Sequence, residues 1–97
     1  MTLAYHPFAE RELLEAAEFY EQAAMGPGRE FVDEFERLSA LIAAYPDAGM
    51  GDSTDVRILH ARRFPYSLIY DARGETIFVL AVAHQRRRPR YWVDRRD

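Results

Sequence analysis

The chain has 97 residues, 48% of them apolar and 13% aromatic, enough for one domain with a packed core and too few for more. It has no cysteine, so disulfide frameworks, thiolate metal sites and a thiol nucleophile are excluded; no apolar run reaches the roughly 20 residues that span a bilayer, and "MTLAYHPFAERELL" lacks a signal-peptide pattern. The net charge of −3 is unevenly divided: residues 1–55 hold 12 acids and 3 arginines, whereas residues 56–97 hold 4 acids and 10 arginines.

In chain order, "TLAYH" (2–6) sets Leu3 and Tyr5 between polar neighbours and reads as a short strand stopped by Pro7. Pro7 also suits a first helical turn, with Glu10 and Glu12 well placed near a helix N-terminus. Leu13, Ala16, Ala17, Tyr20 and Ala24 recur at helical spacing and predict a helix over 8–24. Glu12, Glu15, Glu18 and Glu21 form its opposite face, expected to be solvated. "MGPG" breaks this helix. Phe31, Phe35, Leu38, Ile42 and Tyr45 then follow steps of 4, 3, 4 and 3, one stripe that Val32 and Leu41 widen. Pro46 ends the second helix, and "PDAGMGDS" is expected to be a loop. Two helices joined by so few residues form an antiparallel hairpin.

The second half reads as strand. Val56, Ile58 and Leu59 are followed by Phe64, Tyr66, Leu68 and Tyr70 in alternation, with Pro65 marking a bulge, a bend or a border between strands. "ARG" (72–74) is a hairpin turn, and "TIFVLAVAH" is apolar on both faces, as a central strand is. The expected fold is α+β, in the order β-α-α-β-β-β, as a single domain over 1–97. The helical hairpin packs on one face of a small, mainly antiparallel sheet whose other face stays open.

The most distinctive stretch is "RRFPYSLIYDARGETIFVLAVAHQRRRPRYW" (62–92). Its pattern is an Arg-rich strand, Phe64-Pro65-Tyr66 with an aliphatic-aromatic continuation, a turn, and a strand ending in His84 before arginines. It resembles the RelE/ParE superfamily, the toxins of type II toxin–antitoxin modules, and the strand plus helical hairpin extends that resemblance over nearly the whole chain. The resemblance implies a cytoplasmic, growth-inhibiting toxin of the kind linked to plasmid stabilisation. It implies a cognate antitoxin that holds the toxin in an oligomer; no cofactor, metal or membrane is expected. Two branches differ in target. One poisons DNA gyrase without enzymatic chemistry; the other cuts mRNA on the ribosome. The "VAHQRR" strand end and the absence of lysine favour the gyrase branch. A third reading is an inactive copy serving as a binding module or corepressor.

Each reading names its residues. RNA cleavage needs an acid–base pair and a cation on the phosphoryl oxygens, for which His84, Tyr91 and Arg63 are the candidates. Target binding falls to Arg57, Arg62, Arg86, Arg87, Arg88, Arg90 and Trp92, because guanidinium forks grip phosphate or carboxylate and an exposed Trp marks a contact. Antitoxin binding falls to Phe19, Tyr70, Phe78 and Trp92, with Tyr70 and Phe78 expected on the sheet face away from the helices. His6 is expected to cap a helix or lie exposed, and His60 to sit at the rim of the helix-covered face. His6, His60 and His84, at spacings of 54 and 24, match no metal motif.

Overall fold

Strand β1 (Thr2–Tyr5) leads into helix α1 (Pro7–Ala23) and, after a short link, helix α2 (Pro27–Ala44). The computed structural model describes residues 2–51 and 55–96. It continues with strands β2 (Met50–Gly51), β3 (Val56–His60), β4 (Tyr66–Arg73) and β5 (Thr76–His84), and a 3-10 turn at Val93–Arg96. The five strands form one sheet in the order β1-β5-β4-β3-β2, antiparallel except for the parallel pair β1–β5.

The helical hairpin is fixed by local chemistry. His6 caps α1, its Nδ1 accepting from the Phe8 amide at 3.0 Å, and Pro7 fills the first helical position. Across the link, the Glu21 carboxylate accepts from the amides of Gly26 and Gly28 and so caps the first turn of α2 from outside it. Gly28 is required here: a Cβ would lie 2.5 Å from the Ala17 carbonyl oxygen. Glu21 therefore does structural work rather than merely facing water.

Phe31, Phe35, Leu38 and Ile42 of α2, with Ala9 and Ala16 of α1, bury against Leu68, Tyr70, Ile77, Val79 and Val82 of the sheet. Tyr45, expected to extend that stripe, lies past the end of α2 and is exposed. Tyr70 is a second correction. It shares the helix face with Leu68, as β alternation demands, and is fully buried rather than turned outward. Its hydroxyl donates to the Pro46 carbonyl at 2.6 Å and accepts from the Gly49 amide at 2.9 Å, which pins the loop after α2. Within that expected loop, Met50 and Gly51 pair with β3 as a short edge strand; residues 52–54 lie outside the described residues.

The opposite face is not open. Ile69 pairs with Ala81 and Tyr70 with Val79, so Leu80 is an extra residue, a β-bulge that sends Leu80, Ala81 and Ala83 to the outer face. These side chains join Val56 and Ile69 in a second apolar cluster. The C-terminal segment folds back over it, with Trp92 buried at its centre.

Candidate functional site

Beyond the last register pair, Tyr66 with His84, the Gln85 amide donates to the Pro65 carbonyl at 2.8 Å. This bond lays the 61–65 loop beside the 85–92 loop. It brings Arg62 and Arg63 to the same end of the molecule as Arg86, Arg87, Arg88 and Arg90, and all six residues are exposed. Neither loop contains an acidic residue. Glu34 of α2 reaches this end, accepting from the Arg62 amide at 2.6 Å, but it is also bonded to Arg37. The Arg37 hydrogen bonds outweigh partial burial and hold the Glu34 carboxyl below the usual carboxylate range.

The backbone of this arginine pole is tightly turned. The Arg86 amide donates to His84 Nδ1 at 3.0 Å and the Arg87 amide to the His84 carbonyl at 2.9 Å. Arg63 and Arg90 adopt φ of 67° and 61°, the left-handed region that non-glycine residues avoid. Aromatic rings support the guanidinium groups: Arg87 lies 3.8 Å over the Tyr91 ring and Arg90 5.3 Å over Trp92.

Beneath the pole, Glu12 of α1 gathers three elements. Its carboxylate accepts from Tyr91 Oη at 2.7 Å, from Arg95 at 2.8 and 3.2 Å, and from the Val82 amide at 3.1 Å. β1 ends opposite Val79, so among the described residues Val82 has no neighbouring strand on that side. Glu12 supplies the missing acceptor, while Arg95 donates to the Leu80 carbonyl at 3.0 Å. Burial, reinforced by the Glu12 carboxylate, pushes the Tyr91 phenol above its ordinary value.

Beside the pole lies a groove of about 390 Å³ on the outer sheet face. Ile58, Ile69, Ala83 and Trp92 line it together with Arg87, Arg88 and Arg90. His60 and Ser67 join at 2.6 Å within it. This is the outer face, so His60 is not at the rim of the helix-covered side. An apolar lining with a few convergent polar groups is the general form of a recognition groove.

Several assigned residues fall elsewhere. Trp92, expected as an exposed contact, is only 3% exposed: it packs on the chain's own sheet and forms part of the groove's wall. Arg57 points to the loop after α2, donating to the Gly49 carbonyl at 2.9 Å and pairing with Asp47 at 3.3 Å, away from the pole. Phe19 is 66% exposed on α1, and Phe78 sits on the outer face with Arg73 stacked over it at 5.4 Å. His84 and Tyr91 both line the groove, yet the Tyr91 proton is given to Glu12, and Arg63 stands in the neighbouring loop. Among the described residues no cluster has the makings of a metal site, and no helix is long and apolar enough to cross a membrane. Sequence reasoning missed Glu12 and Arg95. Their only signal was an acid and an arginine far apart in the chain, which periodicity does not connect.

Known proteins bear on this geometry. The family described as ParE toxin of type II toxin-antitoxin system, parDE, matches residues 3–89. Among solved structures, the fold is similar to a chain of the chromosomal ParDE TA system from P. aeruginosa, with a TM-score of 0.72 and 22% identity. That match covers 87% of this chain and 95% of the other. No curated protein matches in sequence. The family match stops at Pro89, so Trp92 and Arg95 lie beyond it.

Proposed function

We propose that this chain, which belongs to the ParE toxin family of type II toxin–antitoxin systems, inhibits growth by engaging DNA gyrase through its arginine pole. A cognate antitoxin covers the pole and the adjoining groove and holds the toxin in an inactive oligomer. The observation that carries this reading is the convergence of six exposed arginines from two loops that contain no carboxylate. Such a surface suits an anionic partner and speeds its association. The ribosome-dependent nuclease reading draws less support. Its acid–base pair would be His84 and Tyr91, and the Tyr91 hydroxyl is already donated to Glu12 at 2.7 Å.

The test is induction without antitoxin, with supercoiling and mRNA integrity followed in parallel. The expected result is loss of negative supercoiling with intact mRNA. Arg86→Glu/Arg88→Glu should weaken growth inhibition at least tenfold, His84→Asn, which removes the imidazole but keeps a side-chain acceptor for the Arg86 amide, should leave it, and co-expression of the antitoxin should restore growth. Translation-linked mRNA cuts with normal supercoiling would reject gyrase as the target.

A further inference from the structure

We propose that the arginine pole binds the phosphate backbone of duplex DNA directly, without the target enzyme as intermediary. The inference deepens the gyrase reading, and it rests on that reading only in taking the pole as the working surface. Two kinds of anionic partner fit six arginines: an acidic protein surface and a nucleic-acid backbone. The side chains at the pole favour the second. Hot spots of protein interfaces are Trp, Tyr and Arg side chains seated in desolvated pockets. The tip from Gln85 to Arg90 contains no aromatic residue, and its four arginines are exposed rather than pocketed. Its two neighbouring aromatics are turned inward, Trp92 buried in the outer-face cluster and Tyr91 under Arg87. Of the large exposed apolar residues, Val93 alone follows the pole, at the start of the 3-10 turn, while the others, Phe8, Leu14, Phe19 and Phe78 among them, lie on other elements. What the pole offers is six exposed guanidinium groups, two of them, on Arg87 and Arg90, lying over aromatic rings; a guanidinium fork grips phosphate oxygens and needs no apolar contact.

The backbone adds a second observation. Of the three described non-glycine residues with positive φ, two are Arg63 and Arg90, one in each of the paired loops. Left-handed backbone is unfavourable for Arg and tends to persist where it serves a site. The acidic first half of the chain, net −9 over residues 1–55, repels DNA and so orients the molecule pole-first.

The experiment is fluorescence anisotropy of the full-length chain with a labelled duplex of mixed sequence, with no gyrase present. If four arginines each neutralise one phosphate, raising salt from about 50 to 200 mM should weaken binding roughly 100-fold, nearly independently of sequence. Arg86→Glu/Arg88→Glu should lose at least tenfold at the lower salt. Arg11→Glu/Arg29→Glu changes net charge equally on the helices and should lose less than threefold. Trp92 emission checks the fold of each variant. No binding by the wild type, equal loss in the two variants, or binding to polyglutamate in preference to duplex would each overturn the proposal. A supercoiling assay keeps the readings apart. Gyrase inhibition without DNA binding sinks only this inference, and DNA binding without gyrase inhibition sinks only the target.

Discussion

At the scale of single residues, Glu12 of α1 ties β5 and the C-terminal segment together. Its side chain and that of Arg95 are only 16% and 14% exposed, so their pairing is weakly screened, and the carboxylate also serves Tyr91 and Val82. Glu12→Gln keeps the shape and removes the charge. It should cost about 2 kcal/mol, a fall of roughly 10 °C in Tm for a domain this size. Tyr91 links the same network to pH. Its proton is held more tightly in the folded chain than in the unfolded one. The resulting stability is intact below about pH 10, the ordinary tyrosine value, and is lost as pH rises toward the higher folded value. Burial acts in the same direction on Tyr5, Tyr20, Tyr66 and Tyr70. Tm should therefore decline at alkaline pH, and Tyr91→Phe should make the decline shallower. The hydroxyl is donated to Glu12, so on the gyrase reading Tyr91→Phe should also still arrest growth, whereas a nuclease that used it would lose its activity.

At the scale of elements, the sequence was most legible where its period was clean. The α2 stripe from Phe31 to Ile42 is buried as its spacing requires, and Pro65 stands at the border between β3 and β4. β5 was opaque in detail because "TIFVLAVAH" is apolar on both faces, so its alternation carries no phase. Nothing in that run marks Leu80 as the bulged residue, and the bulge decides which side chains meet Trp92. The phenol of Tyr70 gives it the character of a surface residue, yet one carbonyl and one amide satisfy it in the core. Caps that cross between elements, such as Glu21 on the start of α2, depend on a contact that helix periodicity does not encode. That contact gives a prediction at this scale. Gly28→Ala should raise helix propensity by about 1 kcal/mol in isolation. In the folded chain its methyl meets the Ala17 carbonyl oxygen at 2.5 Å and the Glu21 Cβ at 2.8 Å, so the hairpin must open. A net loss of about 2 kcal/mol is expected in chemical denaturation. A gain would mean that the two helices are less tightly joined than their geometry implies.

At the scale of the whole molecule, the ten arginines of the second half divide by task. Arg57, Arg73, Arg95 and Arg96 pair with Asp47, Glu12 and the buried Asp71, and so hold the fold together. The other six form the pole. Charge counting made the division into acidic and basic halves visible, but it could not sort these arginines, because the sorting depends on where the C-terminal segment lands. That segment completes the sheet: Trp92 covers Val56, Ile69, Leu80, Ala81 and Ala83, Arg95 and Tyr91 meet Glu12, and Arg96 meets Asp71 at 3.1 Å. Its loss exposes an apolar face and leaves the buried Asp71 and the partly buried Glu12 short of donors. A chain ending at Arg90 should therefore lose cooperative melting by circular dichroism and bind a hydrophobic dye, although it keeps every residue of the family match. Trp92→Ala alone should cost about 3–5 kcal/mol, a large fraction of the stability of a domain this size, and Trp92→Phe should cost much less. If the shortened chain instead melts sharply within a few degrees of the full one, the segment is an appendage. The outer face would then be a surface that the protein leaves uncovered for a partner.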